Sequence, residues 1–142
     1  MNAKAEKFQE YLQERNITCF EVQELNDELH SVMFRSVIAV EGQELPTFVI
    51  LDDSIYGIIR VRISGATLKD GNETEMMKAI NKINAQYKVF KYYFAEDAAL
   101  ILDCCIPVKA DELDGNIIYS LLDVIIRHLE AEYRKIMKLA WA

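Results

Sequence analysis

The chain has 142 residues, 51% of them hydrophobic and 27% charged, and its formal net charge is −7. That size suits a single domain spanning residues 1–142, and the composition argues against a disordered chain. Phosphate groups bind to basic surfaces, so the acidic balance argues against nucleic acid and against an anionic membrane as partners.

The first half of the chain is predicted to form one helix followed by four strands. Residues 3–14 repeat apolar side chains at spacings of three and four, as in an amphipathic helix. Alternating side chains then predict strands at 18–22, 32–40, 47–51 and 58–64. Gly42 is typical of a hairpin turn between the second and third of these. In the fourth, Arg60 and Arg62 share a face that is typical of a solvated surface, although an acidic peptide partner could use both cations.

In the second half the sequence period changes to that of a helix. Asn72 with Glu75 three residues later approximates a capping box, which predicts that a helix begins there. A hairpin follows over 88–106 with its turn at 95–97, and the last helix is expected to begin near Asp111. The order is α-β-β-β-β-α-β-β-α. It predicts the α+β class, with an antiparallel sheet and helices packed on it.

Both faces of this hairpin are apolar, whereas a sheet with one side in water alternates apolar and polar residues. The first strand places Phe90, Tyr92 and Phe94 on one face. The predicted turn sets Tyr92 opposite Ile101, so Ile101 joins that face. We expect this face to contact a partner or a second copy of the chain. Cover by the chain's own helices is the alternative.

No catalytic, cofactor-binding or metal site is predicted. The two histidines, His30 and His128, are far apart in the sequence, and no closely spaced Cys or His pair accompanies them. His128 falls in the apolar stripe of the last helix, where a packed histidine is expected. Cys104 lies in mid-strand among apolar residues, which raise the pKa of a thiol and make it inert. We therefore expect that the protein is not an enzyme.

The cysteines and the first residues of the chain predict a cytoplasmic protein with reduced thiols. Cys104 and Cys105 are neighbours on one strand, so they point to opposite faces and are poorly placed to form a disulfide. Residues 1–16 lack the apolar core of a signal peptide. Polar residues interrupt the apolar run 117–126, so it is not expected to span a bilayer.

From its second predicted helix onward the chain resembles the YbjN-type family of bacterial sensory transduction regulators. The resemblance rests on Ile80-Asn81-Lys82-Ile83-Asn84, on the step from Asn84 to Tyr87 into an aromatic strand, and on the 98–106 strand with the long helix after it. Asn84 is expected to cap the helix or to bond the strand backbone, since an amide both donates and accepts. That family is similar in fold to the type III secretion chaperones, which are small acidic homodimers that bind partner polypeptide in extended form.

The resemblance implies a type III secretion chaperone-like fold and a homodimer whose partner is a protein or peptide. The function that we expect is a non-enzymatic, chaperone-like or regulatory protein-binding module without a cofactor. The alternative is a sensory or regulatory domain that binds a small ligand. A deep pocket lined by polar groups would favour that alternative, and a flat or grooved apolar surface would favour the protein-binding module.

Overall fold

Three helices and six strands form the protein, as seen in a computed structural model that describes residues Met1–Ala142. The helices are α1 (Ala3–Glu14), α2 (Glu73–Gln86) and α3 (Gly115–Ala140). The strands are β1 (Glu21–Glu24), β2 (Val32–Val40), β3 (Gln43–Leu51), β4 (Tyr56–Ala66), β5 (Lys91–Phe94) and β6 (Ala99–Pro107). All six belong to one antiparallel sheet in the order β1-β2-β3-β4-β6-β5. The predicted α+β class and order of elements are confirmed.

The three helices cover one face of the sheet, and the hydrophobic core lies between them and the strands. Side chains alternate along each strand, so Phe34 and Ile59 point towards the helices and are fully buried. Phe8 of α1, Met76 of α2 and Ile125 of α3 belong to the same cluster. Burying one side chain of this size contributes about 1.5–3 kcal/mol to stability. The amphipathic pattern of each helix therefore decides which side of the helix packs on the sheet.

The start of α1 is fastened to the ends of β3 and β4 by polar side chains. Asn2 is the N-cap, and its side chain accepts a hydrogen bond from the amide of Ala5 at 2.9 Å. The same side chain donates to the carbonyl of Leu51 at 2.8 Å. The ammonium group of Lys4 donates to the carbonyl of Tyr56 at 2.9 Å, and burial lowers the pKa of this lysine. These bonds fix the position of α1 over the sheet.

Two tight turns set the pairing of the hairpins. Glu41 and Gly42 connect β2 to β3 with φ angles of 49° and 77°, as a two-residue turn with the right-handed twist of the strands requires. The hairpin turn predicted at Gly42 is confirmed. In the β5–β6 turn Ala98 adopts a φ of 64°, and its amide donates to the carbonyl of Ala95 at 2.9 Å.

The predicted helix starts need two corrections. Asn72 precedes α2, but its side chain makes no capping bond, so the expected capping box is wrong. Its amide group donates to the carbonyls of Thr67 at 2.9 Å and Ala140 at 3.1 Å, which ties the start of α2 to the end of α3. The last helix begins at Gly115, later than expected, because a 3₁₀ turn at Ala110–Glu112 precedes it.

Candidate functional site

The sheet face opposite the helices is called the open face here, and it carries a group of apolar side chains. They come from five strands and are half-buried or exposed, apart from Ile101, which is buried among them. The group comprises Met33, Val37, Phe48, Ile50, Ile58, Tyr93 and Ile101. In the sheet register Met33 lies opposite Ile50, and Ile50 lies opposite Ile58. These pairs make a continuous apolar strip across three strands.

A bidentate ion pair lies near the centre of the open face. Nε and the Nη2 atom of Arg60 each donate to a carboxylate oxygen of Asp103, both at 2.8 Å. The hydrogen bond with Asp103 raises the pKa of Arg60, so the guanidinium stays charged. The predicted basic stripe is therefore partly neutralised, since Arg60 is bound across the strands. Arg62 is more exposed and reaches Asp97 at 3.3 Å.

Two further cations extend the polar part of the open face. Arg35 of β2 lies opposite Phe48 of β3, and it forms none of the salt bridges in the structure. Lys91 of β5 lies opposite Asp103 of β6. Its ammonium group donates to the carbonyls of Asn84 and Tyr87 at 2.7 and 2.6 Å. The open face thus mixes apolar side chains with charges of both signs, since Glu21 lies opposite Arg35 and Asp103 pairs with Arg60.

The hairpin residues predicted as partner contacts do not share one face. Tyr92 lies opposite Leu102, and Tyr93 lies opposite Ile101, so the expected pairing of Tyr92 with Ile101 is wrong by one residue. The turn is one residue longer than predicted because Ala98 takes the left-handed conformation. A slip of one residue exchanges the two faces of a strand, so Ile101 lies on the open face while Tyr92 points into the core.

The aromatic side chains of the predicted contact face belong to the core. Phe90 and Tyr92 are buried within the chain, and Phe94 is half-buried against the core cluster. The outer face of the hairpin carries Lys91 and Asp103 beside Tyr93 and Ile101, so it is mixed and not wholly apolar. Contact of Ile101, Arg60 and Arg62 with a partner stays a prediction.

Sequence reasoning missed the apolar strip of Met33, Ile50 and Ile58, and Phe48 beside it. The signal was present in β2 and β3, where both alternating sets of side chains are rich in apolar residues. A strand that is apolar on both faces needs cover on both. Sequence analysis predicted such cover for the β5–β6 hairpin alone, although β2 and β3 are also apolar on both faces.

Inside the core, His128 of α3 is surrounded by aromatic rings. The ring centroids of Tyr87 and Phe90 lie 4.4 and 4.5 Å from that of His128, and the Tyr92 hydroxyl is 2.7 Å from Nε2. Burial lowers the pKa of His128 to about 4 and raises the pKa of Tyr92. Both side chains are therefore neutral at neutral pH. The histidine is packed in the core, as its place in the apolar stripe predicts.

The other potentially reactive side chains also show no sign of activation. Burial raises the pKa of Cys104 to about 11, which keeps its thiol protonated. Cys105 is exposed on the opposite side of the sheet from Cys104, and all three cysteines are free. No group of three His, Cys, Asp or Glu side chains is arranged to hold a metal ion.

The side chain of Asn84 forms hydrogen bonds with the backbone of β5, at the free edge of the sheet. Its side-chain oxygen accepts from the amide of Tyr92 at 2.8 Å, and its side-chain nitrogen donates to the Tyr92 carbonyl at 3.1 Å. One amide group therefore satisfies both backbone groups of Tyr92. The prediction that Asn84 bonds the strand backbone is confirmed.

Comparison with known proteins gives a fold and no family. No family model matches the chain, and no curated protein matches it. The chain is similar to a solved chain in the crystal structure of the ExsC-ExsE complex, with a TM-score of 0.57 and 12% sequence identity. The match covers 94% of this chain and 96% of that chain. The likeness supports the expected type III secretion chaperone-like fold, while membership of the YbjN-type family stays a prediction.

The length and hydropathy of the helices bear on whether they could span a membrane. A membrane-spanning helix needs about 20 mostly apolar residues. None of the three helices combines that length with that hydropathy.

Proposed function

We propose that the protein is a non-enzymatic, chaperone-like module that binds a segment of another protein on the open face of its sheet. The observation that carries the proposal is the apolar strip of Met33, Ile50 and Ile58, which no helix covers. Strands are spaced about 4.8 Å apart, so the strip runs about 10 Å across three strands, which is the length of about three residues of an extended segment. The structural neighbour, which shares the fold, is itself part of a complex between two proteins.

The charges on the open face define the segment that fits it. Arg35 forms no salt bridge, although Glu21 lies opposite it on β1, and Arg62 has only an exposed carboxylate partner, Asp97. An apolar segment that also carries Asp or Glu would place its apolar side chains on the strip and its carboxylates near these guanidinium groups. Such charge-assisted bonds are about twice as strong as neutral ones. The partner that we propose is therefore an extended segment with both apolar and acidic residues.

A homodimer is proposed as a second property, and it uses a different surface. Ile117 and Val124 of α3 are 52% and 43% exposed, with Leu121 half-buried between them. Their spacing of four and three residues places them in one stripe along the helix. Because α3 lies on the covered side of the sheet, this stripe faces away from the open face. Dimer formation through α3 would leave the open face free for the partner.

The experiment uses affinity capture from the native cell, followed by binding of the identified partner to purified protein. Phe48→Ser with Ile58→Ser changes the open face, and Ile117→Ser with Val124→Ser is the matched control on α3. We expect the open-face variant to lose about tenfold or more in affinity, because a central interface side chain commonly contributes more than 1 kcal/mol. The proposal fails if the open-face variant, shown to be folded by circular dichroism, binds the partner as tightly as the unchanged protein.

A further inference from the structure

A cavity of about 730 Å³ that is open to solvent lies at the C-terminal end of α3. Its walls come from the β2–β3 turn, from β4 and from the last turns of α3. They include Glu41, Ser64, Tyr133, Arg134, Lys138 and Trp141. The volume is within the range of about 300–1,000 Å³ that is usual for small-molecule sites.

Hydrogen-bond donors outnumber acceptors in this cavity. Arg134 and Lys138 donate as cations, and Ser64 and Tyr133 carry hydroxyl groups. Glu41 is the single carboxylate in the wall. The wall thus carries two cations and one carboxylate, in a chain whose net charge is −7. This composition favours an anion as the occupant.

Tyr133 supplies a hydroxyl group to which no other group of the protein bonds. The residue is 7% exposed, yet it takes part in none of the side-chain hydrogen bonds of the structure. Burial raises the pKa of Tyr133, and no charged neighbour adds to this effect. Because the hydroxyl is not one of the buried atoms without a partner, it reaches solvent at the wall of the cavity and is free to donate to a ligand.

Glu41 holds the place that a ligand's anionic group would take. Its Oε2 atom accepts a hydrogen bond from Nη2 of Arg134 at 2.9 Å. Glu41 is on a turn and both side chains are largely exposed, so the bond exchanges easily with a competing anion. Lys138 forms none of the salt bridges in the structure.

Trp141 provides an aromatic surface at the rim of the cavity. It is 57% exposed, and the ammonium group of Lys69 lies 4.1 Å from its ring centroid. An exposed indole beside donor groups can stack on a planar ring while the donors hold a charge.

We propose that this cavity binds a small anion in which a phosphate or carboxylate is attached to a planar ring. The anionic group bonds to Arg134, Lys138 and the Tyr133 hydroxyl, and it displaces Glu41. The ring stacks on Trp141. The site is separate from the open face.

The experiment uses the fluorescence of Trp141, which is the single tryptophan of the chain. The full-length protein is titrated with adenosine 5′-monophosphate, with benzoate and with inorganic phosphate, and calorimetry repeats each titration. We expect saturable binding of at least one of the two ring-bearing anions, and phosphate about tenfold weaker than that anion. The comparison of the first two probes tells a phosphate ligand from a carboxylate. Absence of saturable binding by both, or equal binding of inorganic phosphate, would overturn the proposal.

Three variants and a control test the residues. Arg134→Gln and Lys138→Gln should each weaken binding about tenfold, since each removes a charge-assisted bond. Glu41→Gln should strengthen binding severalfold, because it frees Arg134 for the ligand. Arg127→Gln is the control, as Arg127 is an exposed cation on the same helix paired with Asp123 at 3.0 Å. A loss with Arg127→Gln as large as that with Lys138→Gln, or no gain with Glu41→Gln, contradicts the assignment.

Discussion

His128 and Tyr92 are joined by a hydrogen bond of 2.7 Å between Nε2 and the phenol oxygen, inside the aromatic cluster of the core. The bond connects α3, the longest helix, to β5, the short strand at the edge of the sheet. The other ring nitrogen of His128, Nδ1, is buried and has no hydrogen-bond partner. A proton added to this imidazole would thus place an unpaired charge in an apolar site.

The first prediction is that the protein loses stability in mild acid because of His128. Its pKa is about 4 in the folded protein, whereas the ordinary value of 6.5 applies in the unfolded chain. Between these values the unfolded chain binds a proton that the folded protein does not, so stability falls as the pH is lowered. We expect a free energy of unfolding about 2 kcal/mol lower at about pH 4.5 than at about pH 7. Urea titrations at the two pH values measure it.

The control for this prediction compares the two histidines. His128→Gln keeps a group that can bond to the Tyr92 hydroxyl but does not titrate, so most of the pH dependence should disappear. His30 is exposed, and His30→Gln should leave the pH dependence of His128 in place. An unchanged pH dependence in His128→Gln would show that other groups cause the acid sensitivity.

The second prediction concerns Asn84 and the edge of the sheet. Asn84→Leu removes the partner of both the amide and the carbonyl of Tyr92. We expect a loss of about 1–3 kcal/mol in the free energy of unfolding, because these backbone groups are left without a bond. Asn81→Leu is the control, since Asn81 is exposed on the same helix. A urea midpoint that is the same in Asn84→Leu as in the unchanged protein would contradict the structural role of this amide.

The third prediction separates the two faces of β5 with two neighbouring tyrosines. Tyr92→Ser leaves a cavity in the core and removes the bond to His128, so we expect a loss of about 3–5 kcal/mol, as for other large aromatic truncations. Tyr93→Ser changes a 40% exposed side chain on the open face and should cost less than about 1 kcal/mol. Chemical unfolding of both variants tests the register directly. Similar losses in the two would mean that both faces of the strand are internal.

The same two tyrosines show why sequence alone assigns the faces incompletely. Alternation along a strand tells which residues share a face of that strand, and this was predicted correctly for β5 and β6. The relation between the two strands depends on the turn, where Ala98 takes a conformation usually reserved for Gly or Asn. No residue type in the turn predicts this conformation, so the predicted pairing of β5 with β6 was wrong by one residue.

Contacts between segments that lie far apart in the chain could also not be predicted from the sequence. The pairing of Arg60 with Asp103 requires the β4–β6 register, and these residues are 43 positions apart. The cavity beside Trp141 combines the β2–β3 turn, β4 and α3, which no local pattern brings together. The role of Asn84 could be predicted because it lies at the end of a helix just before a strand, and its two bonds follow from the donor and acceptor of one amide.

The fourth prediction follows from the backbone of Ala98. A left-handed conformation costs an L-residue about 1–2 kcal/mol, and glycine avoids this cost. Glycine also gives the unfolded chain more freedom, which offsets about 0.4–1 kcal/mol of the gain. Ala98→Gly should therefore stabilise the protein by about 0.5–1 kcal/mol in thermal or urea unfolding. Ala95→Gly, in the same turn but without a positive φ, should destabilise it. A loss of stability in Ala98→Gly would contradict the conformation of the turn.

The last prediction is that the protein is a homodimer in solution through the exposed stripe of α3. Stable interfaces bury about 1,600 Å² in total, so the stripe of Ile117, Leu121 and Val124 would form the centre of a larger contact. Sedimentation equilibrium at micromolar concentration should give twice the chain mass of 16.4 kDa. Ile117→Ser with Val124→Ser should return the mass to that of one chain while the circular dichroism spectrum is unchanged, and Phe48→Ser with Ile58→Ser should leave the dimer intact. A mass of one chain for the unchanged protein excludes the dimer. A dimer that survives the α3 changes and dissociates with the open-face changes would move the interface to the sheet, where it would compete with the proposed partner segment.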